Sequence, residues 1–204
     1  MSRYSGPRVK VMRALGLNLP GLSRKSIERR PYPPGQHGGD RRRKESDYGC
    51  QLKEKQKLRA NYGLGERQLR RLVVAARRSK VETGKKLIEL LERRLDNTVF
   101  RAGFAPTIPA ARQLVSHAHI LVNGKRVNIA SFQVSAGDVI TLRERSRKLQ
   151  IVKDSLDNPA LGRAEWISVN GGELTATIDS LPDETAVPFP IEVQLVVEYY
   201  ARML

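Results

Sequence analysis

The sequence contains one cysteine and few aromatic residues. Cys50 is the single cysteine of 204 residues, so no disulfide can form within the chain, which fits a reducing compartment. Aromatic residues make up 5% of the chain and hydrophobic residues 40%, which predicts a core of modest size in one large or two small domains. No apolar run approaches the roughly 18 residues of a membrane-spanning helix, and the first ten residues lack the apolar segment of a secretory signal. We therefore expect neither membrane insertion nor secretion.

Acidic residues are scarce over most of the chain. Residues 1–94 contain 26 lysines and arginines against 9 acidic residues, and residues 95–148 contain 8 against 3. Residues 149–204 reverse the balance, with 3 basic and 9 acidic residues. The net charge of +16 favours a polyanion as the partner of the first three-quarters of the chain. The acidic region is expected to face solvent or a basic protein neighbour.

Residues 29–44, RRPYPPGQHGGDRRRK, contain three prolines and three glycines. The prolines favour extended geometry and the glycines disfavour a helix. The stretch is either a disordered basic loop or a segment that orders against nucleic acid, with its arginines on phosphates. The two interpretations are compatible, because such a segment can be disordered when free and ordered when bound.

Three helices are predicted before residue 103, at 48–62, at 66–79 and at roughly 85–102. The face of the second helix opposite its apolar stripe carries five arginines: Arg67, Arg70, Arg71, Arg77 and Arg78. Helices whose charges serve only solubility alternate in sign, so this side is predicted to face a polyanion.

A helix leading directly into a β-hairpin is predicted from Thr107 onward. Thr107 can cap the helix, and an inward stripe recurs at helical spacing: Ala111, Leu114, Val115 and Ala118. This spacing puts four polar residues on the outer side: Arg112, Gln113, Ser116 and His117. The strand ILV at 120–122 then meets an Asn123-Gly124 turn, which favours a tight hairpin, and a further strand is predicted within 134–145.

These stretches carry a family resemblance. Residues 91–128, LERRLDNTVFRAGFAPTIPAARQLVSHAHILVNGKRVN, closely resemble the S4-type RNA-binding module. RRPYPPGQHG, the YGCQLKEKQKLR stretch at 48–59, ERQLRR and the closing QLVVEYYAR are similar to the bacterial ribosomal protein S4 (uS4) family. The resemblance covers most of the chain and is weakest at about 150–188.

The resemblance implies an α+β fold, with a helical N-terminal domain and an S4-type module of two helices and a β-hairpin or small sheet. We expect a basic, mainly helical rRNA-binding domain at 1–92, the S4 domain at 93–155 and a β-rich extension at 156–188. The β-branched residues of the closing segment favour a strand. The family implies instead that 189–204 forms a helix that packs back on the first domain, and we follow the family.

The resemblance also implies a function. It implies a structural component of the small (30S) ribosomal subunit, in the cytoplasm, that binds 16S rRNA and nucleates assembly of the subunit body. Such a protein would lie near the path of incoming mRNA, beside uS5, and affect translational accuracy. It would not be an obligate homo-oligomer. The alternatives are a repressor that binds mRNA, including its own, and a nonspecific nucleic-acid-coating protein.

Twenty residues are predicted to contact RNA. In the first domain they are cations: Arg3, Arg8, Arg30, Arg41, Arg42, Arg43, Lys53, Lys55, Arg59, Arg67, Arg70 and Arg71. In the S4 domain they are Arg94, Arg112, Gln113, Ser116, His117, Asn123, Lys125 and Arg126. Arginine offers a planar fork to phosphate, and amides and hydroxyls can bond a 2′-hydroxyl. His117 has an alternative interpretation as a surface histidine that caps its helix.

Enzymatic and metal sites are not expected. Many relatives carry a zinc-binding cysteine cluster in the first forty residues, but this chain has no cysteine before Cys50. Cys50 with the three histidines, His37, His117 and His119, makes no closely spaced four-ligand site, so the chain resembles the zinc-free form. The side chains of Ser116 and His117 diverge because the residues are adjacent, which excludes a nucleophile and base pair. We predict no cofactor and no catalysis.

Overall fold

The computed structural model describes residues 4–40 and 45–203, which form an α+β fold. The helices of this part are α1 (Arg8–Leu15), α2 (Asp47–Asn61), α3 (Glu66–Arg77), α4 (Thr83–Glu92), α5 (Leu95–Arg101), α6 (Ile108–Ser116), α7 (Gln150–Asp157) and α8 (Val193–Ala201). The strands are β1 (Ile120–Val122), β2 (Lys125–Arg126), β3 (Val139–Leu142), β4 (Ile167–Asn170) and β5 (Thr175–Ile178). The chain divides into two compact units. The first comprises the residues up to Leu87 and from Phe189 onward, and the second comprises Ile88–Pro188. The predicted fold class is confirmed.

In the first unit, α8 packs against α2 and α3. The closing segment is therefore a helix, although its valines are typical of strands. Val196, Tyr199 and Tyr200 are buried at helical spacing, which places them on one face toward the core. Tertiary packing of this face outweighs the weak strand preference of the valines.

A polar network also holds α8 in the first unit. The Tyr200 hydroxyl donates to Glu66 Oε1 at 2.7 Å, and Lys55 Nζ donates to Glu66 Oε2 at 3.0 Å. The Lys55 ammonium lies 4.7 Å from the ring centroid of Tyr199. Burial alone would raise the pKa of Glu66. The hydrogen bonds from Tyr200 and Lys55, with the nearby positive charges of Lys55 and Arg59, outweigh it and lower that pKa below its ordinary value of 4.5.

The described part of the proline-rich stretch, residues 29–40, consists of bends and turns and contains no helix, as predicted. Arg13 of α1 anchors it by donating to the Tyr32 carbonyl at 3.0 Å and to the Pro33 carbonyl at 3.3 Å. The guanidinium of Arg13 also stacks on the Tyr32 ring, 4.9 Å from its centroid.

The second unit contains an antiparallel sheet with strand order β2-β1-β3-β5-β4. Alternate residues face the core and are buried: Ile120 and Val122, Ile140 and Leu142, Ala176 and Ile178. The predicted hairpin is confirmed, with Val122 opposite Lys125 across the turn. Asn123 and Gly124 both have positive φ, 49° and 74°, as the tight turn between right-twisted strands requires.

The prediction of one continuous helix over 85–102 is wrong. The chain leaves helical geometry at Arg94, whose φ and ψ are −65° and 135°, and α4 is thus separated from α5. Two backbone N–H groups pair instead with a distant loop: Leu95 donates to Phe132 at 2.8 Å and Asp96 to Ala130 at 3.1 Å. The Asn97 side chain donates to the Glu92 carbonyl at 3.0 Å, which satisfies an acceptor at the end of α4.

Candidate RNA-binding surface

The α6–β1 junction exposes two of the predicted contact residues. The Thr107 hydroxyl caps α6 by accepting from the Ala110 N–H at 3.4 Å. The inward stripe that runs from Ala111 to Ala118 is buried, as its spacing predicted. Gln113 and His117 consequently lie on the opposite, exposed side of the helix. After His117 the chain reverses at Ala118, whose φ is 59°, and enters β1.

The hairpin tip exposes two cations. Lys125 and Arg126 are exposed, and within residues 4–40 and 45–203 neither forms an ion pair. Asn123 is exposed, but its side-chain amide already forms two hydrogen bonds within the protein. It donates to Asp138 Oδ1 at 2.8 Å and accepts from the Val139 N–H at 2.8 Å. Asn123 therefore holds the tip against β3, and this leaves the two cations as the groups best placed to meet a ligand.

Arg94 and Arg112 belong to a largely buried ion cluster around Asp96. Asp96 is fully buried, and Arg94 donates to its two carboxylate oxygens at 3.0 and 2.8 Å. Arg112 donates to Asp96 Oδ2 through two nitrogens, at 2.9 and 2.6 Å. Arg94 is 4% exposed and the Arg112 side chain 18%. The Ser116 hydroxyl donates to the Arg112 carbonyl at 2.7 Å. Direct RNA contact by these three residues stays a prediction, and this geometry disfavours it for Arg94.

In the first unit, α3 carries the cationic face that its sequence predicted. Arg67, Arg70 and Arg71 are exposed, and none is in an ion pair within the described part of the chain. A surface groove on this helix is lined by Arg67, Arg70, Arg71, Val74, Ala75 and Arg78. Guanidinium groups along a groove, with their charge unneutralised, suit an extended anionic chain.

The remaining predicted cations of the first unit differ in their exposure and in whether they pair with other groups of the protein. Arg8 and Arg30 are exposed. Lys53 pairs with Glu45 at 2.9 Å, and Arg59 donates to the Leu64 carbonyl at 3.3 Å. Lys55 is 4% exposed and pairs with Glu66, which places its charge inside the unit. Arg3, Arg41, Arg42 and Arg43 lie outside the described residues.

Sequence reasoning missed a group of exposed cations that follows β3. These are Arg143, Arg145, Arg147 and Lys148. The signal for them was present in the run RERSRK at 143–148, which contains one acidic residue.

The described residues contain neither a cluster of metal ligands nor a helix that could span a membrane. Among the described residues, no three histidines, cysteines or acids are grouped so that they could hold a metal ion. Within residues 4–40 and 45–203, no helix has the length and apolar character needed to cross a bilayer.

Comparison with known proteins identifies the family. The domain described as the ribosomal protein S4/S9 N-terminal domain matches residues 3–92, and the S4 domain matches residues 93–140. The chain is 62% identical to small ribosomal subunit protein uS4 of Methylobacillus flagellatus over 205 aligned positions, which cover 100% of both chains. It is 58% identical to uS4B of Nitrosomonas europaea, again over 100% of both, and 50% identical to uS4 of Brevibacillus brevis, over 99% of this chain and 100% of that one. Full-length identity at this level, with both domains matched in order, shows that the chain belongs to the uS4 family of small ribosomal subunit proteins.

Proposed function

We propose that this protein is a structural component of the small ribosomal subunit that binds 16S rRNA directly and nucleates assembly of the subunit body. The observation that carries the proposal is full-length membership of the uS4 family. The charge distribution supports it, because the cations are concentrated before residue 149. Each unit also exposes cations that have no protein counter-charge within the described part of the chain.

Two surfaces are assigned to the RNA. In the first unit, the α3 face with Arg67, Arg70 and Arg71 contacts phosphates. In the second, Gln113 and His117 at the end of α6 contact RNA together with the hairpin tip. The deep major groove of A-form RNA is closed to side chains, so such surfaces read helix shape, phosphates and 2′-hydroxyls. Arg112 contributes chiefly by fixing α6 to Asp96, and this keeps Gln113 and His117 on the exposed side.

The acidic region has a different role. Residues 149–204 carry 9 acidic residues against 3 basic ones, and those at 154, 157, 165, 173, 179, 183 and 184 are exposed. Like charge repels this region from phosphates, so it faces solvent or a basic protein of the subunit. We assign uS5 as that neighbour, close to the path of incoming mRNA, which would connect the protein to translational accuracy.

The proposal is tested by measuring affinity for a 16S rRNA transcript over a salt series. About 8–12 neutralised phosphates give a log–log slope of about −6 to −11. A slope shallower than about −3 would contradict the assignment of the cationic surfaces to RNA. Hydroxyl-radical footprinting on the same transcript would give discrete protected sites, and the protein would co-sediment with small subunits in high-magnesium buffer.

The two alternatives predict different results. A nonspecific coating protein would bind a DNA duplex of equal length as tightly as RNA, whereas a reader of A-form shape and 2′-hydroxyls binds the duplex more weakly. A repressor of its own mRNA would bind that transcript in competition with 16S rRNA, because one surface serves both.

A further inference from the structure

The loop that follows β3 forms a cationic strip outside both matched domains. The strip consists of Arg143, Arg145, Arg147 and Lys148, and all four side chains are exposed. The S4 domain match ends at residue 140, so the family comparison assigns these residues no role. Within residues 4–40 and 45–203 none of the four forms an ion pair, and Glu144 is the only acidic residue in the run.

The strip is held in place by His119, the residue before β1. The Arg143 N–H donates to the His119 carbonyl at 2.9 Å, which continues the β1–β3 pairing beyond Ile120 and Leu142. His119 Nδ1 and Ser146 Oγ share a hydrogen bond of 2.8 Å, and Ser146 is 3% exposed. The loop is therefore anchored at its centre by a buried side chain, while its cations point outward.

The anchor also fixes where the strip lies. His119 follows His117 by two residues, and their ring centroids are 6.1 Å apart. The strip thus begins at the end of the sheet where α6 exposes Gln113 and His117. Burial lowers the pKa of His119, with further lowering from its neighbours His117 and Arg143, which favours the neutral imidazole. His119 is accordingly a positioning residue, and the positive charge comes from the strip.

We propose that this strip binds the phosphates of an RNA backbone segment that continues from the Gln113–His117 surface. The inference rests on the proposed function, since it extends the RNA footprint beyond the residues that match the S4 domain. The arginines supply forks that match phosphate oxygens, and a backbone contact of this kind adds affinity and orientation without reading sequence. The buried Ser146–His119 bond lowers the entropy that the loop would lose on binding.

A matched pair of double variants tests the strip in the full-length protein. Arg145→Gln/Arg147→Gln removes two exposed charges from the strip. Lys153→Gln/Arg163→Gln removes two exposed charges from the same unit outside it. Binding of a 16S rRNA transcript is measured against salt for the parent and both variants. The strip variant should bind more weakly and show a slope less steep by about 2, at about 1 per phosphate contact, whereas the control keeps the slope of the parent.

The outcomes separate this inference from the proposed function. If the parent fails to bind the transcript, the proposed function fails. If the parent binds and the two variants have equal slopes, only the strip is refuted. A second measurement needs no variant: phenylglyoxal modification of the parent with and without the transcript. Arg145 and Arg147 should be protected while Arg163 stays reactive, and equal reactivity at all three would overturn the proposal.

Discussion

Neutralising Asp96 should strongly destabilise the second unit. In the folded protein this carboxylate is fully buried and is the shared acceptor for the guanidinium groups of Arg94 and Arg112. Asp96→Asn preserves the shape of the side chain but removes the negative charge. The two guanidinium groups would then face each other without an anion between them. Both are largely buried: Arg94 is 4% exposed and the Arg112 side chain 18%. Removing one partner from a buried ion pair costs about 3–5 kcal/mol.

This cost is large against the stability of a typical domain, about 5–15 kcal/mol. For a unit of this size it should lower Tm by more than about 10 °C. The loss is measured by urea unfolding followed by circular dichroism. Asp157→Asn is the control, because Asp157 is exposed and should cost within about 0.5 kcal/mol. A loss below about 1 kcal/mol for Asp96→Asn would show that other groups balance the two arginines, and the account of the cluster would be wrong.

Four further outcomes are expected. Leu114→Ala should cost about 2–5 kcal/mol of stability through a core cavity, measured by urea unfolding, with rRNA affinity unchanged in the folded fraction. Lys125→Ala should weaken rRNA binding with an unchanged Tm, whereas Arg112→Ala should lower Tm because it leaves Asp96 with one partner fewer; the opposite pattern would mean that Arg112 is the direct contact. Glu66→Gln should melt below the parent at pH 7, and the difference in Tm should shrink as pH falls from about 4.5 through the folded-state pKa of Glu66, because a lowered carboxyl pKa adds stability that is complete above the unfolded value and is lost below the folded one. Chelators should leave Tm and rRNA affinity unchanged, and stoichiometric zinc in the purified protein would contradict this.

Local sequence patterns were sufficient to predict the part of the candidate RNA-binding surface that α6 and the hairpin form. The Thr107 cap, the buried stripe and the Asn123-Gly124 turn each depend on neighbours within four residues, so helix spacing and turn chemistry predicted them correctly. Exposure of Gln113 and His117 follows directly, because the side opposite a buried stripe faces solvent. The cationic face of α3 is predictable for the same reason.

The errors concern charges and backbone hydrogen bonds whose partners are set by the fold rather than by helix periodicity. The apolar spacing of 85–102 suits one helix, but the N–H groups of residues 95 and 96 pair with a loop more than thirty residues away, and α4 ends. Lys55, Arg94 and Arg112 look like surface cations in the sequence. Their pairing with Glu66 and Asp96, and the burial of Asp96, form only in the folded chain. Net charge thus predicted a polyanion as the partner, and helix periodicity predicted the helical faces of α3 and α6. Which of its cations are paired within the protein was decided by packing, because a carboxylate in the folded chain pairs with a guanidinium or ammonium that is near it in space, whatever their separation along the chain.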